Sequence, residues 1–209
     1  MIIGRIPIRT HIVTEKDDIA EVAKKYAGEI TEPGDIIAVA ETVVAITQGR
    51  AILPDTVRPG RLARFLCLFP GKDGSLATPQ AMQLAIQESG YVRILLGAAA
   101  AAVGKVIGRR GDFYWIAGRH LAQIDDVAGT MWPFERHIIL GPKDPQKVVE
   151  RIKRATGAEA VVTDINDIRK VDIIAASKGV NQEELIKELA DNPFGNDDQQ
   201  TPIIILKMA

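Results

Sequence analysis

Ile36-Ile37-Ala38-Val39-Ala40, set behind the turn Pro33-Gly34-Asp35, is an uninterrupted apolar run. A strand with one wet face would alternate, so a run without polar breaks predicts a strand covered on both sides, central in a sheet. Outward from it, Ile2 to Val13 reads as a strand with one buried face at Ile6, Ile8 and Ile12. Asp18 and Glu21 then open a helix whose apolar side is Ile19, Val22, Ala23 and Tyr26, and Gly28 ends it. Arg61 to Phe69 reads as a short helix. Thr78-Pro79 starts another that reaches Ser89. Ile94 to Gly104 suits a buried, Ala-rich helix weakened by Gly97 and Gly104. Asp112 to Ala117, rich in aromatics, predicts a strand, and the long irregular stretch Gly118 to Arg136 follows it.

Asp144-Pro145 opens a further helix with Val148, Val149, Ile152 and Ala155 on its apolar face. Strands at Glu159–Asp164 and Val171–Ala176, a helix from Asn181 to Ala190 and a last strand at Ile203–Leu206 complete the chain. Strands alternate with helices, so the expected class is mixed α/β or α+β: a central sheet flanked by helices. The expectation is one domain over residues 1–209, with two lobes meeting near 108–136 as the variant.

The chain has 209 residues and a formal net charge of -1, which excludes the basic footprint of a general nucleic-acid binder. Its single cysteine, Cys67, cannot close an intrachain disulfide, and a cytoplasmic protein is expected. The N-terminus lacks the apolar core of a signal peptide. The apolar stretch Ile94–Gly104 is shorter than the roughly 20 residues needed to span a bilayer, so no membrane partner is expected.

Few motifs carry chemistry. His11, His120 and His137 show no zinc-site spacing. Gly71-Lys72-Asp73-Gly74-Ser75 lacks the spacing of a phosphate loop and reads as a surface turn. Cys67, between Leu66 and Leu68, reads as packing. The strand Val161-Val162-Thr163-Asp164 is more informative because it ends in an acid. Ligands of α/β sheets gather at strand C-termini, where carboxylates can hold hard cations. An Asx-turn or helix cap is the other reading of Asp164 and Asp167. In the loop after Ala117, Arg119 is a candidate phosphate ligand and Asp125 or Asp126 a candidate metal ligand; a solvated loop with an occasional ion pair is the alternative. Arg109-Arg110 is either a phosphate clamp or a soluble hairpin tip.

Four stretches resemble the γ-glutamyl ligases of the deazaflavin coenzyme F(420). Gly34 to Ala40, continuing to Gly49-Arg50, is similar to that family's strand and its Ser-Lys-x-Glu-Gly-Arg turn. Ile116-Ala117-Gly118 onward resembles Asn-Ala-Gly-Ile-Asp-x-Ser-Asn. Ile139 to Pro145 resembles Leu-Pro-x-Asp-Pro, and Val161 to Asn166 resembles Thr-Asp-Thr-Asn-Gly. The resemblance implies a nucleotide-dependent (GTP or ATP), divalent-metal-dependent (Mg or Mn) ligase that adds L-glutamate to a carboxylate of a small-molecule substrate through an acyl phosphate. It also implies a homodimer.

Carried over residue by residue, the resemblance implies catalytic roles for Asp164 and Asn166. Nucleotide or phosphate contacts would come from Gly49, Arg50, Gly118, Arg119 and Thr163, and metal ligation from Asp164 and His120. The departures are specific. Ala45, Ile46 and Gln48 stand where the family has Ser, Lys and Glu; His120 stands near a metal-binding Asp, and Gln123 near an Asn. Ile165 replaces a threonine and Asp167 a glycine, and the family's C-terminal lobe has no counterpart. These losses leave a second reading open: a catalytically inactive ligase-fold relative that binds a nucleotide or acidic metabolite as a regulatory module.

Overall fold

The computed structural model describes residues 1–209 apart from 72–73, 110, 127–131, 166–169 and 196–198. The chain forms two compact units, Met1–Arg50 with Pro142–Ala209, and Ala51–Gly141. Residues 108–136, where the sequence suggests a lobe boundary, lie inside the second unit.

The first unit is built on a five-stranded mixed sheet. Its strands are β1 (Ile2–Ile8), β2 (Ile36–Ala40), β5 (Glu159–Ile165), β6 (Val171–Ala176) and β7 (Ile203–Met208), in the spatial order β1-β7-β2-β5-β6. β2 runs parallel to β5 with Ala40 opposite Thr163, and antiparallel to β7 with Val39 opposite Ile203. The apolar run therefore lies at the centre, as its composition requires. Its alternate residues serve two cores. Ile37 and Val39 pack with helices α1 (Ile19–Ala27) and α7 (Pro145–Thr156) through Val22, Ala23, Val149 and Ile152. Ile36 and Ala38 face the other way, with Leu185 and Leu189 of α8 (Gln182–Leu189). β7 divides in the same manner, Ile203 and Ile205 to one core, Ile204 and Leu206 to the other. This is why Ile203–Leu206 has no polar break.

The helix boundaries follow local chemistry. The Asp18 carboxylate accepts hydrogen bonds from the N–H groups of Ala20 and Glu21 at the start of α1, and the Asn181 side chain accepts from Glu184 N–H at the start of α8. Asp144 precedes α7 without a side-chain cap; its carboxylate instead accepts from Lys147 Nζ at 2.8 Å. The first strand ends at Ile8, short of the expected Val13.

One buried charge ties the sheet's ends together. Asp35, 2% exposed, accepts from Lys207 Nζ at 2.7 Å, Glu32 N–H at 2.8 Å and Met208 N–H at 3.1 Å. Burial pushes its carboxyl pKa up, but those hydrogen bonds and the Lys207 charge outweigh burial and hold it below the usual carboxylate value.

The second unit comprises α3 (Arg61–Leu66), α4 (Pro79–Ser89), α5 (Tyr91–Val106), α6 (Asp112–Ala117) and a two-stranded ladder of β3 (Ala51–Ile52) with β4 (Ile138–Ile139). Leu76, Met82, Ile86, Ile94, Leu121 and Ile138 fill its core. Two expectations are corrected here. Asp112–Ala117 is a helix, not a strand: Gly111 and Gly118, both at positive φ, bracket it, and packing on α5 overrides the strand preference of its aromatics. α5, expected to be buried, is covered along one side only, at Ile94, Gly97 and Gly104. The two glycines that weaken its helix propensity are what let α6 approach. A β-carbon on Gly97 would lie 2.9 Å from Ala117 Cβ and 3.0 Å from the Phe113 carbonyl oxygen. Among the described residues, no single helix is long and apolar enough to cross a membrane.

Candidate functional site

The parallel pair β2 and β5 sets the geometry, because parallel strands deliver their C-termini to one edge of the sheet. At that edge β2 passes directly into α2 (Glu41–Thr47), whose first residue, Glu41, is buried. On β5, Thr163 and Asp164 occupy the corresponding positions, Thr163 opposite Ala40. Asn166 and Asp167 lie outside the described residues.

Thr163 is 1% exposed and its hydroxyl donates to the Asp172 carbonyl at 3.0 Å. The β5–β6 ladder shifts register between Val162 and Thr163, and the hydroxyl serves a carbonyl at that irregularity. That bond braces the ladder there. Asp164 sits directly opposite Asp172, a residue on the same ladder that the sequence reading passed over. Its pKa is raised. Loss of surrounding water is the leading cause, repulsion from Asp172 the next, and Lys170 and the Ile165 N–H act against them. Like charges facing each other across a ladder are unfavourable unless something positive lies between them.

Gly49 and Arg50 close the other end of α2. Gly49 takes φ 67, its N–H bonds to the Ile46 carbonyl at 2.9 Å, and Arg50 N–H reaches the Ala45 carbonyl at 3.1 Å. This is the Schellman arrangement that terminates helices, so the pair is a helix end rather than a free-standing turn. Seven residues of α2 put it about 10 Å along the axis from Glu41. Arg50 is 6% exposed.

The positions that depart from the ligase pattern do structural work. Ala45 and Ile46 are 0% and 1% exposed. The Gln48 carboxamide donates to the Lys143 carbonyl at 2.9 Å and accepts from Lys143 N–H at 2.7 Å. A glutamate could make only the second of these bonds.

Gly118, Arg119 and His120 belong to the second unit. Gly118, at φ 128, leaves room for the His120 ring, whose Nδ1 would be 2.8 Å from a β-carbon there. The ring's Nε2 meets Ser89 Oγ at 3.3 Å. Arg119 and His120 are exposed at the start of a 3₁₀ turn running to Gln123. Asp125 is held to Ile139 by two backbone hydrogen bonds. Cys67 is buried, with its thiol on the Arg64 carbonyl at 3.3 Å, as a packing role requires. Arg110, and Lys72 with Asp73, lie outside the described residues. Asp164 and His120, expected to share a metal, stand in different units. Among the described residues no group of three or more His, Cys, Asp or Glu side chains is arranged to hold a metal ion.

The α+β fold thus carries an acid at the C-terminal end of a parallel strand, the place where ligands of such sheets gather. The family model described as F420-0:Gamma-glutamyl ligase matches residues 7–166, most of the 209-residue chain, and the protein belongs to that family. Membership supports a ligase-type function. No curated protein matches the chain. The family match stops at the end of β5, leaving β6, α8 and β7 outside it.

Proposed function

We propose that this protein is a nucleotide- and metal-dependent acid–amino-acid ligase. It adds L-glutamate to a carboxylate of a small-molecule acceptor, coenzyme F(420)-like or of another kind, at the C-terminal edge of β2 and β5. The observation that carries this reading is Asp164 opposite Asp172, two carboxylates facing each other at a strand end, with the Asp164 pKa raised. A hard divalent cation, Mg or Mn, suits such a pair, and Asp164 and Asp172 would hold it. When bound, it would supply positive charge against nucleotide phosphates.

An acceptor carboxylate is a poor electrophile until one of its oxygens is turned into a leaving group, which in this family's chemistry is a phosphate. GTP or ATP would be the donor. The chain's own part is to exclude water and orient the acceptor. In the first unit, Arg50 and the backbone around Gly49 are the phosphate contacts proposed on family grounds; those that the resemblance implies for Gly118 and Arg119 belong to the second unit.

One observation favours a second reading, a non-catalytic relative that binds a nucleotide or acidic metabolite. Ala45, Ile46 and Gln48 are committed to packing and to the Lys143 backbone where the family pattern has reactive side chains.

Thermal denaturation with GTP or ATP, each with and without Mg²⁺ or Mn²⁺, run beside a glutamate- and acceptor-dependent phosphate-release assay, tests both. A ligase stabilised by nucleotide and metal together gains about 2.7 kcal/mol at a ligand concentration of 100 Kd, and releases phosphate. Asp164→Asn should abolish the metal's part and leave the ligand-free melting point the same or slightly higher, since like-charge repulsion is relieved. Nucleotide binding without phosphate release supports the second reading. No stabilisation by any combination removes the site from this edge.

A further inference from the structure

The second unit hides a charge imbalance beneath the near-neutral total of the chain. Ala51–Gly141 has ten Lys and Arg against seven Asp and Glu, and the rest of the chain sixteen against twenty. Residues 90–119 are the most one-sided part, with Arg93, Lys105, Arg109, Arg110 and Arg119 against a single acid, Asp112. That acid is already engaged, accepting from the Arg109 guanidinium at 3.1 Å. Arg93, Lys105, Arg109 and Arg119 are exposed.

The same segment carries an apolar surface. Val92, Leu96, Ala99, Val103 and Val106 fall within about 80° of the circumference of α5, while its covered residues, Ile94, Gly97 and Gly104, lie on the other side. Val92 is 70% exposed, Val103 64% and Val106 87%. Trp115 and Ile116 of α6 continue the surface, and with the C-terminal half of α5 they border an open groove of about 830 Å³. Isolated exposed apolar residues need no explanation, but a patch of this extent marks a contact. The cations at its rim indicate with what. An apolar strip flanked by Lys and Arg is complementary to a bilayer with anionic headgroups: the strip enters the acyl boundary and the cations meet the phosphates. At 16 residues, about 24 Å, α5 is too short to cross a hydrocarbon core of about 30 Å and can only lie along its surface. Trp115, 75% exposed, is of the side-chain type enriched at that boundary.

We propose that this face of the second unit docks on an anionic phospholipid bilayer. α5 lies in the plane of the surface with Val92, Leu96, Val103 and Val106 inserted, and the groove beside α6 receives part of an acyl chain. Arg93, Lys105, Arg109 and Arg119 make the headgroup contacts. Docking does not depend on the ligase reading, and either can fail without the other.

Co-sedimentation of the full chain with phosphatidylcholine vesicles, with and without phosphatidylglycerol, tests it, together with the emission of Trp115 in a Trp132→Phe background. Partition onto the phosphatidylglycerol vesicles should be at least ~10-fold stronger than onto phosphatidylcholine alone, the smallest effect that two surface cations should produce, and added NaCl should narrow that difference. Trp115 emission should move to the blue on binding. Leu96→Glu and Val103→Glu should each weaken binding at least ~10-fold by withdrawing apolar area and adding a repelled charge. Both side chains are exposed, so circular dichroism of the variants should match wild type, and Leu96→Ala with Val103→Ala covers the case in which a charge disturbs folding. Arg93→Gln with Lys105→Gln should remove most of the preference for phosphatidylglycerol. Failure to sediment with either vesicle overturns the proposal, as does equal binding to both, or binding indifferent to Leu96→Glu. So does a Trp115 emission that is already blue without vesicles and is unmoved by them, since the face is then covered by protein.

Discussion

Replacing Asp35 with Asn removes a charge at the point where the start of β2 meets the end of β7. In the wild type its carboxylate takes three hydrogen bonds, one from an ammonium, while only 2% exposed. Hydrogen bonds to charged groups contribute about 1.5–3 kcal/mol each when a partner is removed. Stranding a fully buried partner costs about 3–5 kcal/mol. Lys207 is not stranded, because its side chain is 21% exposed and also meets Glu32 at 3.0 Å. The loss expected for Asp35→Asn is therefore about 2 kcal/mol at pH 7, near the lower of those ranges. The pH dependence has a defined sign. The folded-state pKa of Asp35 lies below the ordinary value of about 3.9, so its contribution is present above that value and lost as pH falls through the folded-state pKa. Urea unfolding at pH 7 and pH 3 reads both effects. The variant should be less stable at pH 7, and the gap to wild type should narrow in acid. A loss under 0.5 kcal/mol at neutral pH, or a gap that stays constant down to pH 3, would refute the reasoning.

Leu185→Ala, in a side chain 0% exposed between α8 and the sheet, should cost about 2–5 kcal/mol of unfolding free energy; a loss below 1 kcal/mol would mean that α8 is not part of the core. Gly49→Ala meets no atom within 4 Å but must keep φ 67, so chemical denaturation should show a penalty of about 1–2 kcal/mol from the backbone alone. Cys67→Ala should leave any phosphate-release activity unchanged and lower the melting point modestly; loss of activity in a folded variant would give the thiol a chemical role.

Much of the first unit was legible because its signals are local. The unbroken runs Ile36–Ala40 and Ile203–Leu206 require cover on both faces, and they have it. Asp18 before an apolar-periodic stretch caps its helix as such residues do. What was hidden depends on contacts distant in sequence. Aromatic residues at Asp112–Ala117 favour strand only until α5 offers them a surface to pack on as a helix. The Ala-rich composition of α5 indicates burial, but its glycine-lined side alone is covered. At the candidate site, Asp164 was readable as an acid ending a strand, whereas its opposition to Asp172 depends on the register of the β5–β6 ladder. Gln48 looked like a lost carboxylate; its two bonds to Lys143, 95 residues away, give it a reason of its own.

The route of the chain through the first unit bears on how it is assembled during synthesis. β2 is complete at Ala40, but the strands on its two sides begin at Glu159 and Ile203. At about 5–20 residues per second, Ile36–Ala40 waits of order ten seconds for both neighbours, an apolar strand with open edges. Ala51–Gly141, by contrast, is one continuous segment and has emerged whole before either neighbour exists. Translation thus favours folding from the middle of the chain outward, with β7 the last piece to lock the sheet. A ribosome stalled between Gly141 and Glu159 would hold a complete second unit attached to an unfinished first one, with Ile36–Ala40 still lacking both neighbouring strands.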